Sequence, residues 1–143
     1  MADIQHQFPV RASAARVFAA MATPAGLDAW WTKRSAGEPV AGAEYEFWFP
    51  PEYDWRGVVT RCVPNAELDW EITRADADWQ GTRVGFRLRE AGGVTTVSFH
   101  HSGWATPNEH FRISSYCWAT YLRLLKRYVE HGEIVAYENR DTA

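Results

Sequence analysis

Of the 5 histidines in the chain, His101 has the neighbourhood that most favours chemistry. It shares the apolar phase of its segment with Val97 and Phe99, so it faces inward, where it could act as a general acid or base or hydrogen-bond a ligand. A core histidine with both ring nitrogens satisfied explains the same placement without any reaction. His100 points the opposite way, so the two cannot act together on one ligand. His6 lies on the first strand, and His110 and His131 lie at opposite ends of the last helix, spacings that build no metal site. Glu109 is a base by type, yet it stands three residues after Thr106, the spacing of a capping box. Ser102-Gly103 and Ser114-Ser115 lack a G-x-S-x-G setting and a paired base, so no serine nucleophile is expected. Cys62 and Cys117 are far apart and belong to no C-x-x-C pattern, which indicates neither a disulfide nor a zinc site. Arg61 faces the interior if its strand keeps phase and would then need a carboxylate from protein or ligand. A β-bulge near Thr60 or Arg61 would turn it to solvent instead. Arg123, Lys126 and Arg127 read as the solvated face of a helix. No catalytic residue, metal or cofactor is assigned.

Size, charge and aromatic content narrow the classes. A chain of 143 residues is expected to form one domain over residues 1–143, large enough to bury a core without staples. With 15 Lys and Arg against 18 Asp and Glu, the net charge of −3 offers no long-range attraction to phosphate backbones or anionic membranes. Nucleic acid is therefore not an expected partner. The N-terminus has neither a basic nor an apolar leader pattern, and no stretch approaches the roughly 18 apolar residues of a membrane span. A reducing cytoplasm is the expected setting. The 8 Trp, 6 Tyr and 7 Phe make up 15% of the chain, a load that either fills a core or lines a cavity.

The elements that must position these residues follow from periodicity. Ile4, His6, Phe8 and Val10 alternate with polar neighbours, predicting a short first strand. Ser13 caps a helix over residues 14–21, and Thr23-Pro24 opens a second one reaching about Trp30. Residues 35–42 read as turn. Strands are expected where Tyr45, Phe47 and Phe49 alternate with Glu44, Glu46 and Trp48, over Trp55 to Val63, and where Leu68, Trp70 and Ile72 share a face. Two more carry Val84, Phe86 and Leu88, then Val97, Phe99 and His101, after the Gly92-Gly93 turn. Phe111, Ser115, Trp118, Leu122, Leu125 and Val129 form one stripe of a long helix stopped at Gly132. The order predicts an α+β fold, a curved antiparallel sheet of about six or seven strands wrapped around a long C-terminal helix.

These residues also carry a resemblance. The chain resembles the START-like helix-grip superfamily, also called SRPBCC. Its nearest likeness there is the AHSA type, whose namesakes resemble a domain of the activator of the ninety-kilodalton heat-shock-protein ATPase. The matching stretches are 10–18 at the first helix, Pro24 through Trp30-Trp31, Gly57 to Pro64 with Leu68-Asp69-Trp70, His101 to Trp104, and Trp118 to Lys126 closed by His131-Gly132. Together they span about residues 4 to 137. The chain departs from the family pattern at Asn65-Ala66 after Pro64, and at Cys117, where a glycine commonly precedes the helix tryptophan. The resemblance implies a cavity between sheet and helix, used across the superfamily for lipids, sterols, polyketides and plant hormones.

The expected function is binding of a small apolar or aromatic ligand in that cavity, lined by Trp30, Tyr45, Phe47, Trp55, Trp70, Phe86, Phe99, His101, Trp118 and Tyr121. Two other readings stay open. A cyclase- or dehydratase-like enzyme acting on a polyketide-type substrate would need His101 paired with Tyr116, Tyr121 or Arg61. A protein-interaction module, self-associating as a homodimer or meeting a chaperone-type partner, would need an exposed apolar patch, for which Trp48 is the candidate.

Overall fold

The period-two segments of the sequence become strands, joined by one short edge strand that shows no period. In the computed structural model, which describes residues 1–142, β1 covers Ala2–Val10, β2 Arg34–Ala36, β3 Glu44–Phe49, β4 Tyr53–Val63, β5 Glu67–Arg74, β6 Arg83–Ala91 and β7 Val94–Trp104. Helices α1 (Ala14–Ala22) and α2 (Pro24–Trp30) follow β1, and α3 (Glu109–His131) follows β7. The strands pair antiparallel in the order β1-β7-β6-β5-β4-β3-β2. Strands β2 to β7 are thus a meander of sequence neighbours, and β1 joins the far side of β7 with Ile4 opposite His101. α3 spans 23 residues, about 35 Å at ~1.5 Å per residue, and lays its apolar stripe across the concave face. No helix of the described residues is long and apolar enough to cross a membrane.

Local chemistry sets the boundaries. The Ser13 side chain accepts from the Arg16 amide, and Thr23 accepts from Gly26 with Pro24 at the first helical position, each filling an orphan donor of a helix start. Gly132 takes the left-handed conformation at φ 68° that ends α3. The start of α3 departs from expectation. Its cap is Asn108, whose side chain accepts from Phe111 at 2.9 Å, and Thr106 lies outside the helix. Glu109 is then the first helical residue, placed to face the positive end of the helix dipole.

Three further expectations need correction or refinement. β1 is not short but 9 residues long, with a bulge between Ala2 and Ile4. Residues 34–36, of which Ser35 and Ala36 are expected as turn, form the edge strand β2 on β3, too brief to show a period. In β4 the register slips between Val59 and Arg61, so Thr60 is the extra residue. That bulge reverses the phase. Arg61 turns to solvent and pairs with Glu67 at 2.9 Å, while Cys62 packs against the core.

The inward phases of the strands and the α3 stripe meet in one core. Phe47, Trp70, Phe86, Phe99 and Trp118 are all at most 4% exposed, as their phases require. On the outer face, Asp69 sits over Gly85, where an added Cβ would come within 1.9 Å of its carboxylate. Arg87 grips both Asp69 oxygens at 2.8 Å, and His100 Nε2 lies 3.0 Å away. Burial alone would raise the Asp69 pKa, but the hydrogen bonds from His100 and Arg87 outweigh it and hold the carboxyl well below the usual range.

Candidate functional site

The aromatic residues expected to line a cavity separate into two groups. Trp30, Tyr45, Phe47, Trp70, Phe86, Phe99 and His101 are buried in a solid core. Among Trp30, Trp70, Phe86, Phe99 and Trp118 only a void of about 10 Å³ remains. An opening lies at one end of the α3–sheet interface, where a cleft of about 310 Å³ takes in Trp55, Trp118 and Tyr121 from the expected set. Sheet-end residues Phe49, Pro50, Tyr53 and Trp55 form one wall, and Asp76 and Trp79 from the β5–β6 loop form another. The first half of α3 supplies His110, Ile113, Ser114, Cys117, Trp118 and Tyr121; Trp31 and Tyr137 complete the lining.

Aromatic rings pack through this region at near-contact spacing. Trp31 lies 5.0 Å from Trp118, Trp118 stacks on Trp79 at 5.8 Å, and Trp79 meets Trp55 at 4.8 Å, centroid to centroid. Trp79 is the functional candidate that periodicity missed. It stands in a polar loop, Asp76-Ala77-Asp78-Trp79-Gln80-Gly81, and its one sequence signal is a large apolar ring with no strand or helix phase to explain it. The loop folds the ring inward, and the indole N–H donates to Ser114 Oγ at 3.2 Å.

His101 holds this assembly together. Trp118 Nε1–H donates to its Nδ1 at 3.1 Å, so Nε2 carries the proton and donates to Thr82 Oγ1 at 2.8 Å. Thr82 in turn donates to the Trp79 carbonyl. One neutral imidazole therefore links α3, β7 and the Trp79 loop. Burial pushes its pKa down to about 3, with His100 and His110 adding to the shift. Both ring nitrogens are occupied by protein, and none of Tyr116, Tyr121 or Arg61 is hydrogen-bonded to it. Tyr116 is 77% exposed, and Arg61 is held by Glu67 on the outer face.

Polar groups ring the cleft. His110 pairs through Nδ1 with Asp78 at 3.0 Å, and Tyr121 donates to Asp141 at 3.1 Å. Burial and the nearby Asp141 raise both the Tyr121 and Cys117 pKa values, so both groups stay neutral at pH 7. Cys117, the departure from the family pattern, thus contributes a small neutral wall. A 3-10 turn over Tyr137–Thr142 is fastened by the buried Arg140, which donates to the carbonyls of Asp28, Thr32 and Val135. No Lys or Arg lines the cleft, and among the described residues no three His, Cys, Asp or Glu could hold a metal ion.

The outer face corrects one expectation. Ser102 does have a neighbouring base, for its Oγ lies 3.3 Å from His100 Nδ1 while Asp69 holds Nε2. Residues 100 and 102 share the outward phase of β7, and β5 and β6 bring in Asp69 and Arg87. None of these residues lines the cleft.

A seven-stranded antiparallel sheet gripping one long C-terminal helix, with two short helices after the first strand, places the protein in the helix-grip, START-like class. The chain belongs to the family described as activator of Hsp90 ATPase homolog 1-like protein, whose model matches residues 11–130. The Aha1 dimer of Colwellia psychrerythraea superposes with a TM-score of 0.84 at 30% identity, covering 93% of this chain and 99% of that one. DynU16, a protein of the dynemicin biosynthetic locus, superposes with a TM-score of 0.80 at 20% identity over 95% of this chain and 50% of its own. CalU16 of Micromonospora echinospora gives 0.72 at 19% over 91% and 77%. The last two likenesses concern fold alone. No curated protein matches the chain in sequence.

Proposed function

We propose that this protein binds a small, neutral, flat apolar ligand in the cleft at the end of α3. The observation that supports it is the cleft itself: about 310 Å³, at the low end of the roughly 300–1,000 Å³ of small-molecule sites, with indole and phenol rings on its walls. A buried planar ligand gains offset-stacked and edge contacts with such rings. The absence of Lys and Arg from the lining removes the partner a carboxylate or phosphate would need. The test is titration with N-phenyl-1-naphthylamine, a neutral fluorescent probe. Saturable enhancement with one site per chain, weakened at least tenfold by Ile113→Lys at the cleft mouth, is the expected result. No saturation, or binding indifferent to Ile113→Lys, would remove the cleft as the site.

Self-association is a second reading, favoured by the dimeric relative from Colwellia psychrerythraea. The interaction candidate Trp48 is half-buried, its ring covered by the Arg34 guanidinium at 4.0 Å, so this patch is less apolar than its sequence suggests. Sedimentation equilibrium of the protein over a hundredfold concentration range distinguishes a dimer from a monomer.

A further inference from the structure

We propose that His110, held by Asp78, presents an unprotonated Nε2 to the cleft as a general base, so that the protein removes a proton from carbon in the ligand it binds. The inference rests on the ligand-binding reading and adds a reaction to it.

Two elements that the fold brings to one end of the cleft build this dyad. His110 is the second residue of α3 and lines the cleft, and Asp78 stands 32 residues earlier in the β5–β6 loop. The same loop sends Trp79 into the cleft wall, where its indole donates to Ser114 of α3. That bond ties the loop to the helix one turn beyond His110 and so keeps Asp78 beside the imidazole.

His110 Nδ1 lies 3.0 Å from Asp78 Oδ2, and the ring stands at 88° to the Trp104 indole with centroids 5.5 Å apart. A carboxylate only accepts, so Nδ1 carries the proton and the lone pair is left on Nε2. Nε2 has no hydrogen-bond partner among the described residues and is not one of their enclosed polar atoms, so a ligand can reach it. An ion pair this open to solvent contributes little to stability. Its effect is orientation, because a carboxylate behind an imidazole fixes both the tautomer and the direction of the free nitrogen.

The other groups at hand are poorer bases. Burial and the nearby Asp141 hold Tyr121 and Cys117 neutral, and a phenol or thiol that keeps its proton cannot take another from carbon. Asp76 is exposed, and a solvated carboxylate is a weaker base than an imidazole. His101 has both ring nitrogens engaged inside the core.

The substrate class that suits base and walls is a neutral, flat carbon acid, such as an aryl ketone with hydrogens beside the carbonyl. Nε2 takes the proton from that carbon, the electron pair of the C–H bond forms the C=C bond of the enolate, and the negative charge settles on oxygen. The imidazolium then returns the proton to oxygen or to a conjugated carbon. The reaction is an isomerisation and needs no co-reactant.

The experiment uses 5-nitrobenzisoxazole, a neutral, flat probe whose ring opens when a base removes the C–H proton of its heterocycle. The proton passes to Nε2, the C–H electrons complete a nitrile, the N–O bond breaks, and the coloured nitrophenolate that leaves is read by absorbance at pH 8; the imidazolium then gives its proton to water. Wild type is expected to turn the probe over with saturation. His110→Gln is expected to lose about a hundredfold in kcat, the lower end of general-base catalysis, while still binding N-phenyl-1-naphthylamine, which shows the cleft intact. Asp78→Asn, which alters a positioning residue, is expected to lower kcat with KM unchanged. Long-range proton–nitrogen NMR of the wild type at the same pH reads the tautomer without any variant: a proton on His110 Nδ1 is expected, and one on Nε2 overturns the proposal. A wild-type rate no higher than that of His110→Gln also overturns it, as does a larger loss in Asp76→Asn than in His110→Gln. In each of these cases N-phenyl-1-naphthylamine still binds and the ligand reading stands. If neither that probe nor the benzisoxazole binds wild type, the ligand reading itself fails, and the proposal with it.

Discussion

Neutral His101 makes the stability of this fold depend on pH. The folded pKa of about 3 lies far below the 6.5 of a free histidine. A depressed histidine pKa means that the unfolded chain binds a proton which the native state refuses. The stability contribution of neutral His101 is therefore complete above about pH 7 and is lost progressively as pH falls from 6.5 towards 3. At pH 5 the unfolded histidine is favoured by protonation by about 2 kcal/mol, and at pH 7.5 by less than about 0.1 kcal/mol. The figure at pH 5 is insensitive to the folded value so long as that stays near 3 to 4. His101→Gln keeps an acceptor for Trp118 and a donor for Thr82 but cannot titrate. Urea unfolding at fixed ionic strength should show wild type losing about 2 kcal/mol more than His101→Gln between pH 7.5 and 5. Asp69, whose pKa is lowered, acts only at more acid pH, so it leaves this window clear. Equal losses in wild type and variant would refute the assignment of a buried, neutral imidazole.

Trp79→Ala is expected to cost about 2–3 kcal/mol, less than the ~3–5 of a fully enclosed aromatic, because one side of the ring already faces the cleft; thermal melting reads the loss, and N-phenyl-1-naphthylamine should bind at least fivefold more weakly. Asn108→Ala should cost about 1 kcal/mol while Thr106→Ala stays within about 0.5, and the reverse order in urea titrations would restore Thr106 as the cap.

The parts legible in the sequence are those set by local periodicity. Trp70, Phe86 and Phe99 repeat every second residue along their strands, and Trp118, Leu122 and Leu125 recur every third or fourth, so their burial follows from phase alone. The bulge at Thr60 could be suspected because two hydrophobic phases collide in one strand. The position of the cleft could not. Whether eight or nine rings close up or leave a gap depends on packing to within fractions of an ångström, between residues such as Trp31, Trp79 and Trp118 that are distant in sequence. The Trp79 loop has no period to betray its inward turn. His101 was legible as inward, but its two hydrogen-bond partners, Thr82 and Trp118, stand 19 and 17 residues away on separate elements. Thr106 and Asn108 are both good caps, and the course of the chain around Pro107 decides between them.

The strand order has a consequence for how the chain is made. β1 leaves the ribosome before the other strands, yet among the described residues its one neighbour in the sheet is β7, and Ile4 meets His101 97 residues later in the sequence. At ~5–20 residues per second, synthesis of the partner takes roughly 5–20 s. Strands β2 to β7 can zip together as successive hairpins while that time passes. The apolar edge formed by Ile4, Phe8 and Val10 has to wait, unpaired, until nearly the whole meander has emerged, and the grip on α3 can close only afterwards. During translation β1 is thus the strand that waits longest for its partner and is open meanwhile to capture by a holding chaperone or by another nascent chain, and a faster-translated message would shorten that exposure.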